Sequence, residues 1–180
     1  MKINHKLLYV IGIILIVAAV AVFGYLPTYV EKSRNRVQQS QLADIPAETR
    51  KTHQSLFIAD LHSDSLLWNR DLAKKSNYGH VDIPRLIEGN VGLQVFSVVT
   101  KTPKNLNLIT NSDDTDNITL LAIAQLWPVK SWFSLFERAN YQAEKLHRVA
   151  NDSANNFFLI RNFVFVDRFV EIYCLLLVYF

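Results

Sequence analysis

A histidine and an aspartate stand two residues apart where an apolar stretch of this chain ends. Residues 56–58 are aromatic and β-branched in character, which predicts a short buried strand, and His62 and Asp64 follow it. Residues i and i+2 of an extended backbone point to the same side, so both side chains can approach one point. An imidazole nitrogen and a carboxylate oxygen placed in this way suit a divalent metal such as zinc.

A His-x-Asp triplet also has an ordinary structural interpretation. An aspartate at the end of a strand is often a turn residue or a helix cap, and the spacing alone leaves both interpretations open. In a parallel α/β barrel the active site lies at the carboxyl ends of the strands, where this triplet would stand.

Further elements downstream resemble the membrane dipeptidases, the renal-dipeptidase-type metallopeptidases. That family opens with an Asp-x-His-x-Asp signature, followed by a His-Val-Asp-hydrophobic-Pro-Arg segment and a Gly-x-Gly-hydrophobic-Gln strand. The similarity covers roughly residues 55–161. The matching positions are Asp60, His62 and Asp64, then HVDIPRL at residues 80–86, then Gly89, Gly92, Leu93 and Gln94.

The resemblance implies a (β/α)8 barrel that holds two zinc ions and hydrolyses dipeptides or similar small amides with a hydroxide held between the ions. It assigns His62 and Asp64 as ligands of one metal, with Asp60 as a partner that orients the ligands or ends the strand. The family's bridging glutamate, its two histidine ligands and its later catalytic aspartate have no assigned position in this sequence. The catalytic residues therefore stay unassigned.

Length limits how much of such a barrel this sequence can form. A (β/α)8 barrel takes about 250 residues, whereas the chain has 180. We therefore predict an α/β fold in which residues 54–161 form a partial (β/α)8 TIM barrel of the metal-dependent hydrolase type, preceded by a transmembrane helix. Two identified ligands are fewer than zinc sites generally use, so we expect weak or absent catalysis unless another polypeptide completes the barrel.

Residues 162–180 form an anomalous apolar tail. The segment contains neither glycine nor proline, so it lacks the turn signals that separate strand from helix in a βα unit. A frameshift or premature stop would produce such a tail, and a second membrane span is a less favoured explanation because three charged residues lie near its start. The alternative function is therefore a membrane-tethered, non-catalytic remnant of a dipeptidase.

Residues 1–26 form an amino-terminal membrane segment. Residues 7–26 carry no charge and are long enough to span the hydrocarbon core as a helix. A signal peptide cleaved near residues 19–21 competes with an uncleaved anchor, which the continuing apolar run favours. We predict a single-pass membrane protein with its domain on the extracytoplasmic side, joined to the anchor by a polar, solvated linker at residues 27–53.

A second His-x-Asp triplet is predicted to be structural. Asp82 precedes Ile83 and Pro84, and this order is typical of a helix cap followed by a proline in the first turn. His80 is therefore not proposed as a ligand. Gln94, within the apolar run that follows, is expected to be a hydrogen-bonded polar group of the core.

A helix is expected over residues 131–149. Its apolar positions recur at threes and fours, which predicts one face directed to the core. These positions are Trp132, Leu135, Phe136, Ala139, Ala143, Leu146 and Ala150.

Composition bounds the partners. A net charge of +3 without a repeated basic and aromatic pattern gives no support for nucleic-acid binding. The one cysteine, Cys174, allows no intrachain disulfide. The expected partners are a dipeptide or small amide substrate and a membrane, and the sequence leaves open whether the chain forms a homodimer.

Overall fold

The computed structural model describes residues 5–37, 44–152, 157–160 and 175–179, which form a mixed α/β arrangement around one parallel sheet. Two short 3₁₀ turns accompany the main elements, at Ser65–Leu67 and Val129–Ser131. The helices are α1 (His5–Arg34), α2 (Ala47–Ser55), α3 (Ile83–Glu88), α4 (Asn117–Ala124) and α5 (Leu135–Asp152), and the strands are β1 (Ile58–Ser63), β2 (Val91–Ser97), β3 (Phe158–Leu159) and β4 (Leu175–Tyr179).

The strand order is β1-β2-β4-β3, and every neighbouring pair is parallel. The α/β class is therefore confirmed. Among the described residues the sheet is open, with β1 and β3 at its edges, so a closed barrel is not shown. Of the apolar tail at residues 162–180, the structure describes only β4, which lies between β2 and β3; the rest lies outside the described residues.

Strand β1 is less buried than its apolar sequence predicts. Leu61 in β1 and Phe57 directly before it are 69% and 68% exposed, and Ala59 between them is exposed as well, so the described part of the chain leaves one face of this strand uncovered. Parallel strands are normally covered on both faces. Phe57 still has one close contact: its ring lies over Gly92, where a Cβ atom would come within 2.5 Å of it.

Helix α1 combines an exposed apolar half with a half that packs on the domain. Its first part is apolar and unburied, and the whole helix is long and apolar enough to cross a membrane. Beyond it, Pro27 and Glu31 are buried, and the Gln125 side-chain amide donates to the Pro27 carbonyl at 2.8 Å. The prediction of a solvated linker is therefore wrong for this part of residues 27–53, since contacts with distant residues bury it.

Two apolar clusters form the core. The first lies under the sheet and includes Leu66, Leu72, Leu86, Phe96 and Leu146. The second joins the turn after β1 to α4 and to the turn that follows it, through Leu67, Ile118, Ala122 and Trp127. Together they fix the loops that follow β1 and β2, which carry the candidate site.

The predicted core face of α5 is wrong at its amino-terminal end. Leu135 and Phe136 are 47% and 70% exposed, whereas Arg138, Gln142 and Lys145 are buried beside Leu146, the member of the predicted face that does reach the core. These long polar side chains bind backbone groups of neighbouring loops, which offsets the cost of burying them. Their donors and acceptors reach Val99, Thr100, Ser131 and Leu66.

Candidate functional site

His62 and Asp64 meet at the carboxyl end of β1. The His62 Nε2 atom lies 3.2 Å from the Asp64 Oδ1 atom, and the two side chains are 71% and 44% exposed. Asp64 precedes the 3₁₀ turn Ser65–Leu67 but makes no side-chain capping bond to it. The structure thus brings the two predicted ligands together and leaves the Asp64 carboxylate out of the capping role.

Ser97 joins this pair from the end of β2. Its hydroxyl oxygen lies 2.7 Å from Asp64 Oδ1, 3.4 Å from His62 Nε2 and 3.2 Å from the Ser63 carbonyl. The parallel pairing of β1 with β2 places Ser63 opposite Phe96, so Ser97 falls at the same edge of the sheet. The hydroxyl can therefore hold the Asp64 carboxylate in position.

Asp60 acts on the backbone. Its Oδ1 atom accepts a hydrogen bond from the His62 backbone N–H at 3.1 Å. This bond fixes the chain at the end of β1, next to the irregularity in the β1–β2 register between Asp60 and Ser63. Asp60 therefore matches the predicted strand-end partner rather than a group bonded to the imidazole.

The geometry fits two ligands of one cation. Two atoms that bind zinc at about 2.1 Å and subtend a tetrahedral angle lie about 3.4 Å apart, close to the 3.2 Å between His62 and Asp64. Within the described parts of the chain no group of three or more His, Cys, Asp or Glu side chains could hold a metal. The donor set is of the right type for zinc but supplies only part of a coordination shell.

A cavity of about 510 Å³ opens beside this pair. Asp64 lines it together with Arg34 of α1, and its walls are largely apolar. Its other lining residues come from α1, from the loops after β1 and β2 and from α4, among them Val30, Trp68, Val99, Thr102 and Leu121. Ligand pockets commonly range from about 300 to 1,000 Å³, so the cavity can accept a dipeptide-sized molecule.

The second triplet is built quite differently. Asp82 is fully buried and caps α3, because its Oδ1 atom accepts from the Arg85 backbone N–H at 3.0 Å. Its Oδ2 atom accepts from Arg85 Nε at 2.8 Å and from the Ser76 N–H at 3.0 Å. Burial raises the pKa of Asp82, but these hydrogen bonds outweigh burial and bring the pKa below its ordinary value. The predicted cap is confirmed, and Pro84 lies in the first turn.

A buried ionic network connects this region to α1. Arg70 Nε lies 2.8 Å from Glu31 Oε1, and both side chains are almost fully buried. The Arg70 guanidinium also covers Gly79, whose φ of 75° and lack of a Cβ atom allow the close approach. Burial lowers the pKa of Lys145 to about 8, although Glu31 partly opposes the shift. Burial likewise lowers the pKa of Arg70.

Sequence reasoning missed Ser97 and Arg34 as members of the site. Ser97 had a signal, since it is the polar residue at the end of an apolar strand. Arg34 had none, because it is distant in sequence and reaches the cavity only through the packing of α1 on the domain. The predicted residues His62, Asp64 and Asp60 do lie together.

Comparison with known proteins identifies no relative. No family model matches the chain, and neither the curated proteins nor the solved structures contain a significant match to it.

Proposed function

We propose that the chain carries part of a zinc-dependent dipeptidase-type hydrolase site, in a partial (β/α)8 barrel held at a membrane by α1. The observation that carries the proposal is the meeting of His62, Asp64 and Ser97 at the carboxyl ends of two parallel strands, beside a cavity of dipeptide size. The carboxyl ends of parallel strands are where α/β folds place their ligands. The resemblance of residues 55–161 to the membrane dipeptidases supports the same chemistry.

The roles of the residues follow from their contacts. His62 and Asp64 would hold the cation, Ser97 would keep the Asp64 carboxylate aligned, and Asp60 would fix the backbone of His62. A bound zinc ion supplies polarisation of the scissile carbonyl and a lower pKa for an attacking water. The Arg34 guanidinium lines the same cavity, where a carboxylate of the substrate would find a positive partner.

The membrane assignment rests on α1. Residues 7–26 carry no charge, and α1 is long and apolar enough to cross a bilayer. We propose that α1 is an uncleaved single-pass anchor and that the domain lies on the extracytoplasmic side. The apolar run continues past residues 19–21 through Val22, Phe23 and Leu26, which supports an anchor over a cleaved signal sequence.

A non-catalytic, membrane-tethered protein is the second candidate. Two metal ligands among the described residues favour it, because catalytic zinc sites use three protein ligands. This candidate predicts a folded chain that neither binds zinc through His62 nor cleaves a dipeptide.

Zinc binding by the full chain in detergent tests the proposal. All variants carry Cys174→Ser, so that the thiol does not compete for zinc. We expect weak binding of zinc by calorimetry, reduced at least about tenfold in His62→Ala and in Asp64→Ala. His80→Ala is the matched control, since it removes an exposed histidine of the second triplet and should leave binding unchanged.

Activity is measured on the same samples with a series of dipeptides. We expect slow or undetectable cleavage by the chain alone, and any cleavage should disappear with His62→Ala and with a chelator. Zinc affinity that is equal in the parent protein, His62→Ala and Asp64→Ala would refute the proposed site and favour the non-catalytic candidate.

A further inference from the structure

Four large apolar side chains project from residues 126–136, which comprise the turn after α4 and the first residues of α5. Leu126, Val129, Phe133 and Phe136 are 45%, 69%, 80% and 70% exposed, and we name this set the apolar turn. Exposed apolar groups on one short segment are typical of an interaction surface.

The apolar turn is rigid and well anchored. Trp127, between its first two members, is 2% exposed, and its ring packs on Tyr141 with centroids 5.0 Å apart. The Trp132 indole N–H donates to the Trp127 carbonyl at 2.9 Å, and Ser131 is fully buried. Because the backbone and the intervening residues are fixed, the exposed side chains are presented in a defined orientation.

The position of the turn relative to α1 identifies the partner. The side chain of Gln125, directly before the apolar turn, donates to the Pro27 carbonyl of α1 at 2.8 Å. Val30 and Arg34, beyond Pro27 on α1, share a cavity with α4 residues that precede Gln125. Helices α1 and α4 are therefore antiparallel. The carboxyl end of α4 lies at the level of Pro27, where the apolar half of α1 ends.

The same level carries an aromatic pair typical of a membrane interface. Tyr25 and Tyr29 stack with ring centroids 5.5 Å apart, and their side chains are 66% and 54% exposed. Tyrosines are enriched where a membrane-spanning helix meets the headgroups. Pro27 lies between them in sequence, so the hydrogen bond from Gln125 places the apolar turn at the headgroup level.

We propose that the apolar turn inserts into the headgroup region of the bilayer that α1 crosses, as a second, shallow membrane contact of the domain. This inference rests on the proposed membrane span of α1 and is independent of zinc and catalysis. Burial of these side chains in the interface removes their apolar surface from water. Lys130, exposed within the same turn and paired with Glu137 at 2.7 Å, stands where anionic headgroups would lie.

Depth measurements on the full chain in phosphatidylcholine–phosphatidylglycerol nanodiscs test the inference. In a Cys174→Ser background, an environment-sensitive fluorophore is attached to one cysteine at a time, from Val129→Cys, Leu108→Cys or Val17→Cys. Quenching by nitroxide-labelled lipids and by aqueous iodide reports the depth. Leu108 is the matched control, since it is an apolar, fully exposed residue on the loop before α4, at the opposite end from Gln125.

We expect the Val129 label to be quenched by shallow nitroxide lipids and to be several-fold less accessible to iodide than the Leu108 label. Phe133→Asp should return the Val129 label to water, while Leu108→Asp should not. Equal iodide access at Val129 and Leu108, with Val17 protected, would overturn the inference and leave the α1 anchor intact. Iodide access at Val17 as well would overturn both the anchor and the inference.

Discussion

The two His-x-Asp triplets have the same spacing but differ in the burial and hydrogen bonding of their aspartates. At residues 62–64 both side chains are substantially exposed, lie 3.2 Å apart and accept few bonds from the backbone. At residues 80–82 the aspartate is fully buried, caps α3 and receives three hydrogen bonds, while the histidine is exposed. The difference shows that the strand or helix boundary beside the motif, rather than the motif itself, decides whether the carboxylate is free for chemistry.

This difference predicts that Asp82 contributes to the stability of the fold and Asp64 to zinc binding. The Asp82 carboxylate stabilises the fold, because it accepts hydrogen bonds from the backbone of Ser76 and from the backbone and side chain of Arg85. The hydrogen-bond and ionic partners of the Asp64 carboxylate among the described residues, His62 and Ser97, belong to the candidate site. Substitutions at equivalent positions of the two triplets should therefore give opposite results in stability and in zinc affinity.

The largest expected effect is that of Asp82→Ala. Removing one partner of a buried ion pair typically costs about 3–5 kcal/mol, and this change also removes the α3 cap. Urea unfolding of the detergent-solubilised chain should show a loss of that size. Asp64→Ala is the matched control and should change stability by less than about 1 kcal/mol; equal losses at both positions would contradict the comparison.

Lys145→Met should change how the free energy of unfolding depends on pH, because Lys145 is buried in the ionic network. The folded pKa of Lys145 is about 8, below that of an unfolded lysine at about 10.4. The unfolded chain therefore binds more protons between these values, and the stability of the parent protein rises with pH there. Relative to Lys145→Met, the gain should reach up to about 3 kcal/mol.

Thermal melts of both proteins from pH 7 to pH 10.5 measure this difference. Arg148→Met is the control, because Arg148 lies on the same helix with an exposed side chain. A constant difference between parent and Lys145→Met across the range would show that Lys145 is not desolvated in the folded state.

Part of the loss of stability at low pH should come from protonation of Asp82. Its pKa lies below the ordinary value, so its contribution is present above the unfolded pKa of about 3.9 and is lost as pH falls through the folded value. Asp82→Asn should therefore flatten the acid limb of stability measured between pH 2 and pH 6. An acid limb identical in parent and variant would assign that limb to other carboxylates, such as Asp116, whose pKa is also lowered.

Ser97→Ala should have the smallest effect. The Ser97 hydroxyl lies 2.7 Å from Asp64 Oδ1, and loss of such an orienting partner lowers metal affinity by about 10–100-fold. Zinc calorimetry should show a loss near the lower limit, with little change in stability. Ser65→Ala is the matched control, since its hydroxyl bonds to Ser63 and not to Asp64.

The sequence predicted those features that depend on neighbours along the chain. The α3 cap at Asp82 and the strand containing Gln94 follow from residues within a few positions, and Gln94 is fully buried as expected. The exposure of Leu61, the burial of Glu31 and the polar buried face of α5 depend on contacts between distant segments. A short apolar run does not show whether one or both faces of its strand are covered, so the prediction for β1 was too buried.

The candidate site divides in the same way. His62, Asp64 and Asp60 are close in sequence, and their approach follows from the extended backbone. Ser97 depends on the register between β1 and β2, and Arg34 depends on how α1 packs against α4. Neither relation is encoded in a local pattern.

If α1 is the proposed membrane anchor, its unbroken course from the apolar half into the domain fixes the distance between the cavity and the lipid. With residues 7–26 in the bilayer, the rise from Leu26 to Arg34 is about 12 Å, about one and a half times the screening length of about 8 Å in physiological salt. Arg34 and Asp64 line the same cavity, so the surface charge of the lipids would still be felt there. In that proposed arrangement anionic lipids would concentrate cations at this height, and membrane composition would then change zinc binding at the proposed site.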